Sequence, residues 1–170
     1  MMPIWCEVYL DHLVDNYNEI KQCVGEQVEL MPVLKADAYG HGAIECAKVL
    51  VQNGAKYFAM ARVDEGVQLR KAGINCPILI LGYIAREEID KLIEYNLTPT
   101  VYHIRFAKEL SKRTWKEVKV HIKIDTGMGR LGFRGVDESI SVIKQIQALD
   151  HIIIEGLYSH FSVSDEEDKS

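Results

Sequence analysis

Tyr57-Phe58-Ala59-Met60-Ala61 is a short apolar run. Helical spacing follows it at Asp64–Ala72, stops at Gly73, and yields to a second apolar run, Pro77-Ile78-Leu79-Ile80-Leu81, closed by Gly82. Strand, helix and strand in this order are the signature of parallel βα units. The pattern extends both ways. Upstream, Glu29–Leu34 reads as a strand ending at Lys35, and Ala43–Gln52 as a helix ended by Asn53-Gly54. Downstream, Arg86–Tyr95 reads as a helix, Leu97–Val101 as a strand, Ile104–Lys112 as a helix and Val118–Ile124 as a strand. A helix at Val136–Leu149 and a strand at Ile152–Tyr158 complete six alternations. The strands are short and apolar, as expected when helices cover both faces.

The fold class is therefore α/β. An open doubly wound sheet and a (β/α)8 barrel both fit the alternation. No GxGxxG follows the first strand, which weakens the dinucleotide-binding version of the open sheet. A barrel takes eight strands and typically about 250 residues. The 170 residues would then be a partial TIM barrel of about six βα units. The polar end, Ser164 to Ser170, reads as a loop or a helix start, so an incomplete fragment of a longer chain is expected. At the front, Ile4, Cys6, Val8 and Leu10 alternate with Trp5, Glu7 and Tyr9, which predicts a strand. Asp11 then reads as the N-cap of a helix through Leu13, Val14, Tyr17 and Ile20. The organisation expected is an N-terminal strand over residues 1–10 and a barrel domain over residues 11–170, truncated at its C-terminus.

Composition narrows the function. Apolar residues make up 48% and charged residues 26%, with a net charge of −5, values of an ordinary soluble domain. Without a basic block, nothing points to nucleic acid or an anionic membrane. No apolar run is long enough to span a bilayer, and the first residues lack a secretory pattern. Cys6, Cys23, Cys46 and Cys76 form no CxxC pair and have no histidine at metal-ligand spacing. They read as free thiols in a reducing compartment, which predicts a cytoplasmic protein without a metal site.

In a parallel barrel, chemistry gathers at the C-terminal ends of strands. Three such ends carry unusual residues. The first is Val33-Leu34-Lys35-Ala36-Asp37-Ala38-Tyr39-Gly40-His41-Gly42. Lys35 shares a face with Val33 and Met31 and points inward, where a partly desolvated amine can form a Schiff base with an aldehyde cofactor. Gly40 and Gly42 allow close backbone approach, and Tyr39 offers a hydroxyl. Alone, Lys35 would more readily be a lysine snorkelling to the barrel mouth.

The second is His121-Ile122-Lys123-Ile124-Asp125-Thr126-Gly127-Met128-Gly129-Arg130-Leu131-Gly132-Phe133. Val118, Val120, Ile122 and Ile124 face the outer helices, while Lys119, His121, Lys123 and Asp125 face inward. Lys123 and Arg130 repel one another unless an anion lies between them. Arg130, framed by glycines, can reach a substrate carboxylate with a bidentate pair. The third is Glu155-Gly156-Leu157-Tyr158-Ser159-His160-Phe161, in which Gly156, Tyr158 and His160 share a face. Its bland reading is a pair of packed aromatics.

These three strings, in this order, resemble the motifs of the alanine racemase family. The resemblance covers nearly the whole chain. It implies a pyridoxal 5′-phosphate (PLP) enzyme that interconverts L- and D-alanine and supplies D-alanine for peptidoglycan. It implies that Lys35 carries the cofactor as a Schiff base and is the catalytic base toward the D-enantiomer. Tyr39 would help hold the cofactor phosphate, and Arg130 would bind near the cofactor's phenolic oxygen and the substrate. Lys123 would be carboxylated on its amine, turning a second cation into an anion that pairs with Arg130. His160 would stand on or beside the pyridine ring, with Tyr158 supporting it. The family also implies a homodimer, in which the opposite base is a tyrosine of a C-terminal β-domain absent from these residues. The N-terminal strand resembles the one that joins that domain. The fragment alone is accordingly expected not to racemise alanine and to bind PLP weakly or not at all. A serine-preferring racemase of the same family and a non-catalytic PLP-binding regulatory barrel are the competing readings.

Overall fold

The computed structural model describes residues 4–164, which divide into two compact units at Tyr83 and Ile84. Each is parallel α/β, as the alternation predicts.

The first unit opens with helix α1 (Leu10–Val24), which buries Tyr17. Helix α2 (Ala43–Gln52) buries Ala43, Cys46, Ala47 and Leu50 along one stripe. Strand β1 (Phe58–Met60), helix α3 (Val63–Lys71) and strand β2 (Ile78–Ile80) follow. β1 and β2 pair in parallel, with Phe58 opposite Ile78 and Met60 opposite Ile80. Both strands are buried throughout. Phe58, Ile78, Ile80, Leu50 and Leu69 are almost completely shielded from solvent, each worth about 1.5–3 kcal/mol over an exposed position.

The second unit holds a 3-10 turn (Arg86–Glu88) and helix α4 (Ile89–Glu94), then strand β3 (Thr98–Val101), helix α5 (Ile104–Arg113) and strand β4 (Val118–Lys123). Helix α6 (Val136–Gln147) and strand β5 (Ile152–Tyr158) complete it. β3 pairs with β4 and β4 with β5, all in parallel. The β4–β5 register slips between Val120 and His121. Gly156 lies opposite His121 at this slip, and a Cβ there would stand 2.7 Å from the imidazole. The glycine leaves room for that ring.

Three expectations need correction. Residues 4–9 form no strand, and Leu10 already begins α1. A strand needs a neighbour for its ladder bonds, and none pairs with this segment among the described residues. Its bonds are local instead: the Trp5 indole and the Tyr9 hydroxyl both donate to Glu7, each at 3.0 Å. Residues 1–3 of the expected N-terminal strand, and 165–170 at the other end, lie outside the described residues. The expected strand Glu29–Leu34 shrinks to a single bridge between Val33 and Ala59. The expected helix Arg86–Tyr95 begins as a 3-10 turn, where Glu88 caps Ala85 N–H at 2.9 Å.

Candidate active site

Lys35 follows the Val33–Ala59 bridge directly. The next four residues, Ala36, Asp37, Ala38 and Tyr39, all adopt left-handed backbone, with φ of 50°, 55°, 53° and 55°. Each L-residue in that conformation costs about 1–2 kcal/mol, so a run of four persists only if its surroundings hold it. They do. Ala38 N–H donates to Leu34 O at 2.9 Å, His41 N–H to Ala38 O at 3.1 Å and Gly42 N–H to Asp37 O at 2.9 Å. The Asp37 carboxylate accepts Ala43 N–H at 2.7 Å, tying the turn to the start of α2. The carboxylate of Glu65, from α3, accepts Ala36 N–H at 2.7 Å. The turn brings Tyr39 back over its own start, and Lys35 Nζ stands 5.7 Å from the centre of the Tyr39 ring. Tyr39 itself is 62% exposed. A cavity of about 450 Å3 adjoins it, lined by residues including Val33, Leu34, Ala38, Tyr39 and His12.

The second unit assembles its own group around the end of β4. Lys123 is buried, and its Nζ donates to Ile124 O at 3.0 Å and lies 5.2 Å from the centre of the Tyr158 ring. Desolvation pulls its pKa down, the Asp125 carboxylate opposes this, and the Arg130 cation adds to it. Tyr158 exchanges a hydrogen bond with Thr100 at 2.8 Å, and burial pushes its phenol pKa up. The ring beside Tyr158 is His121, at 6.4 Å between centroids. His160 is exposed, and no ring contact joins it to Tyr158 among the described residues.

The loop after β4 is fixed by one carboxylate. Asp125, with its side chain 2% exposed, accepts the N–H groups of Gly127 at 3.1 Å and Gly129 at 3.0 Å and pairs with Arg134 at 2.7 Å. Those bonds hold its pKa down at about 2, the Gly129 N–H contributing most. Phe133 closes the loop: its N–H donates to Lys123 O and its carbonyl accepts Asp125 N–H, both at 2.9 Å. Arg130 is thereby carried, exposed, on a loop pinned at both ends.

The sequence matches the family described as "Alanine racemase, N-terminal domain" over residues 8–170. The chain belongs to the alanine racemase family. It is 49% identical to the alanine racemase of Carboxydothermus hydrogenoformans over 100% of its own length and 46% of that protein's. It is 44% identical to that of Methanococcus maripaludis over 99% of its length and 46% of that protein's. Among solved structures, an alanine racemase of Clostridium difficile 630 superposes with a TM-score of 0.95 at 41% identity, covering 100% of this chain and 46% of that one. The parallel α/β fold is that of the N-terminal barrel in this family. A histidine racemase of Leuconostoc mesenteroides superposes at 0.86 with 30% identity, covering 94% of this chain and 44% of that one. The chain spans a little under half the length of these relatives.

Two residues escape a sequence reading. Asp37 and Glu65 look like ordinary first-turn or loop acids, yet both clamp the Lys35 segment. Glu65 falls three residues after the N-cap Arg62, and its carboxylate accepts Arg62 N–H at 2.9 Å. That spacing signals a helix start. It says nothing of Ala36, a partner 29 positions away.

Proposed function

We propose that this chain is the cofactor-binding part of a PLP-dependent alanine racemase that interconverts L- and D-alanine. One observation carries the reading: an amine, Lys35 Nζ, stands over the Tyr39 phenol at a strand end, on a turn whose strained backbone is held by five hydrogen bonds. Strain kept in place this way gathers at functional sites.

The residues suit PLP. A primary amine matches the cofactor's aldehyde, and an exposed phenol beside it matches a phosphate oxygen. When bound, PLP makes the amino acid's Cα–H acidic by delocalising the charge left behind. The protein's part is to hold groups and move protons. Lys35 Nζ takes and returns the Cα proton on one face. Tyr39 would donate its hydroxyl to the phosphate. In the second unit, Arg130 supplies a cation that orients the substrate carboxylate and the cofactor's phenolic oxygen. Lys123, with its pKa lowered by burial, more readily presents the neutral amine that reacts with carbon dioxide. The carbamate so formed would replace the Lys123–Arg130 repulsion by an ion pair. By the family resemblance, Tyr158, anchored on Thr100, and His160 would serve the cofactor ring.

An amino acid is the substrate class. A solved Clostridium difficile relative is a complex with cycloserine, a small molecule. Alanine is favoured because relatives named alanine racemase reach 49% identity, against 30% for the histidine racemase. Free cysteines at all four positions support a reducing, cytoplasmic setting, and the family supports a homodimer and a role in peptidoglycan supply. No helix among the described residues is long and apolar enough to cross a membrane.

The test is conversion of L-alanine to D-alanine by the protein as its gene encodes it, with PLP. Turnover that Lys35→Ala abolishes supports the reading. Turnover with another amino acid but none with alanine contradicts the substrate, and PLP binding without racemisation of any amino acid contradicts the enzyme.

A further inference from the structure

The pairing of Val33 with Ala59 is a single bridge, and a carboxylate occupies the donors of the step that would follow it. Ala59 N–H donates to Pro32 O and Leu34 N–H to Ala59 O, each at 2.9 Å. An evenly spaced parallel ladder would continue with Ala61 N–H on Leu34 O and Ala36 N–H on Ala61 O. Neither bond forms. Ala36 N–H donates to Glu65 Oε1 at 2.7 Å, and Ala61 N–H donates to Glu65 Oε2 at 2.9 Å. Arg62 N–H shares that second oxygen at 2.9 Å. The two carbonyls released are taken elsewhere: Leu34 O accepts Ala38 N–H at 2.9 Å, and Ala61 O accepts Gly82 N–H at 3.1 Å. Every group of the missing ladder step is thus satisfied. The residue that this step would have locked into the sheet is Lys35.

We propose that Glu65 is the positioning residue of Lys35: its carboxylate takes both donors of the next ladder step, ends the strand and fixes the lysine's backbone at the entry to the left-handed turn. The proposal rests on the reading of Lys35 as the PLP lysine. In the step concerned, the neutral amine of Lys35 adds to the aldehyde carbon of PLP. A C=N bond forms, and the aldehyde oxygen leaves as water with both amine protons. Glu65 touches none of these atoms. It acts on where Nζ starts from, because Ala36 N–H belongs to the peptide unit that joins Lys35 to Ala36.

Rapid mixing of the apoprotein, as its gene encodes it, with rising PLP separates cofactor saturation from C=N bond formation. In Glu65→Gln, one carbonyl oxygen remains for three donors, and the amide NH2 must face an N–H. The limiting rate is expected to fall about ten-fold or more, given that displacements near 1 Å can cost about a hundred-fold. The half-saturating PLP concentration should stay within about two-fold, because binding itself is not what Glu65 serves. Glu65→Asp keeps the charge on a shorter arm and should also slow the limiting rate. Wild-type limiting rates in both variants, or a change confined to half-saturation, overturn the proposal. If Glu65→Gln does not fold, Glu65→Asp decides. If neither folds, Glu65 holds the whole unit rather than the lysine, and the proposal again fails. Lys35→Ala run alongside separates the two layers: a visible Schiff-base band that survives in it refutes the Lys35 reading itself, whatever Glu65 does.

Discussion

Two loops leave strand ends in this chain, and they are made rigid by opposite means. After Lys35, positive φ falls first on four residues that are not glycine, Ala36, Asp37, Ala38 and Tyr39, and then on Gly40 and Gly42. After Lys123, the positive-φ positions fall on Gly127, Gly129 and Gly132, where no Cβ opposes the conformation. The first loop carries strain and is tied to α2 through its own Asp37 and to α3 through Glu65. The second carries little strain and is organised from inside by Asp125. The difference teaches where each loop's order resides. The glycine loop has its shape built into its own sequence. The lysine turn holds a conformation its residues disfavour, through bonds to its own flanks and to one distant residue, Glu65.

Four substitutions break or sharpen that contrast, taken in order of expected effect. Gly132→Ala should be the most damaging, because its Cβ would lie 2.4 Å from Asp125 N at a φ of 134°. We expect a loss of about 3 kcal/mol or more, in the range of severe core or backbone mutations, read from urea unfolding. A loss under about 1 kcal/mol would mean the loop does not depend on that glycine.

Asp125→Asn should cost stability at neutral pH, and its difference from the wild type should close in acid. The folded carboxyl sits at about 2, below its ordinary 3.8, so folding favours the ionised form. Its contribution is complete above the ordinary value and is lost as pH falls toward about 2. The wild type should therefore lose thermal stability across that window, and the variant should show a flatter acid limb. Equal slopes would contradict the assignment.

Asp37→Ala removes the carboxylate that receives Ala43 N–H, and about 1 kcal/mol is expected, as for other helix-start acids. Its thermal midpoint should fall accordingly. Ala36→Gly should move the other way. Relief of the left-handed strain, less the glycine's entropy cost, predicts a gain of up to about 1 kcal/mol. A destabilised Ala36→Gly would show that the turn is not strained.

Much of this architecture was legible because parallel strands buried on both faces leave continuous apolar runs. Phe58–Met60 and Ile78–Ile80 follow that rule, and Ala43–Gln52 follows the helical one. The helix-facing side of β4 was legible from alternation, since Val118, Val120 and Ile122 are buried while Lys119 is exposed. The failures are equally physical. Residues 4–9 alternate like a strand, but alternation cannot provide a neighbour for the ladder. The stretch before Lys35 looks like a full strand, but its pairing among the described residues is the single bridge of Val33 with Ala59. A left-handed run of four non-glycine residues has no propensity signal, because each residue individually disfavours it. Lys123 and Tyr158 were visible as candidates, yet the partners that orient Tyr158, Thr100 and His121, come from other strands.

The central claim is that Lys35 is the lysine that takes PLP. Borohydride reduction of the PLP-treated protein, followed by peptide mass spectrometry, reads this directly. The account predicts a single reduced pyridoxyl adduct on the peptide that contains Lys35, lost in Lys35→Ala. An adduct on Lys123 or another lysine, with Lys35 unmodified, would contradict it.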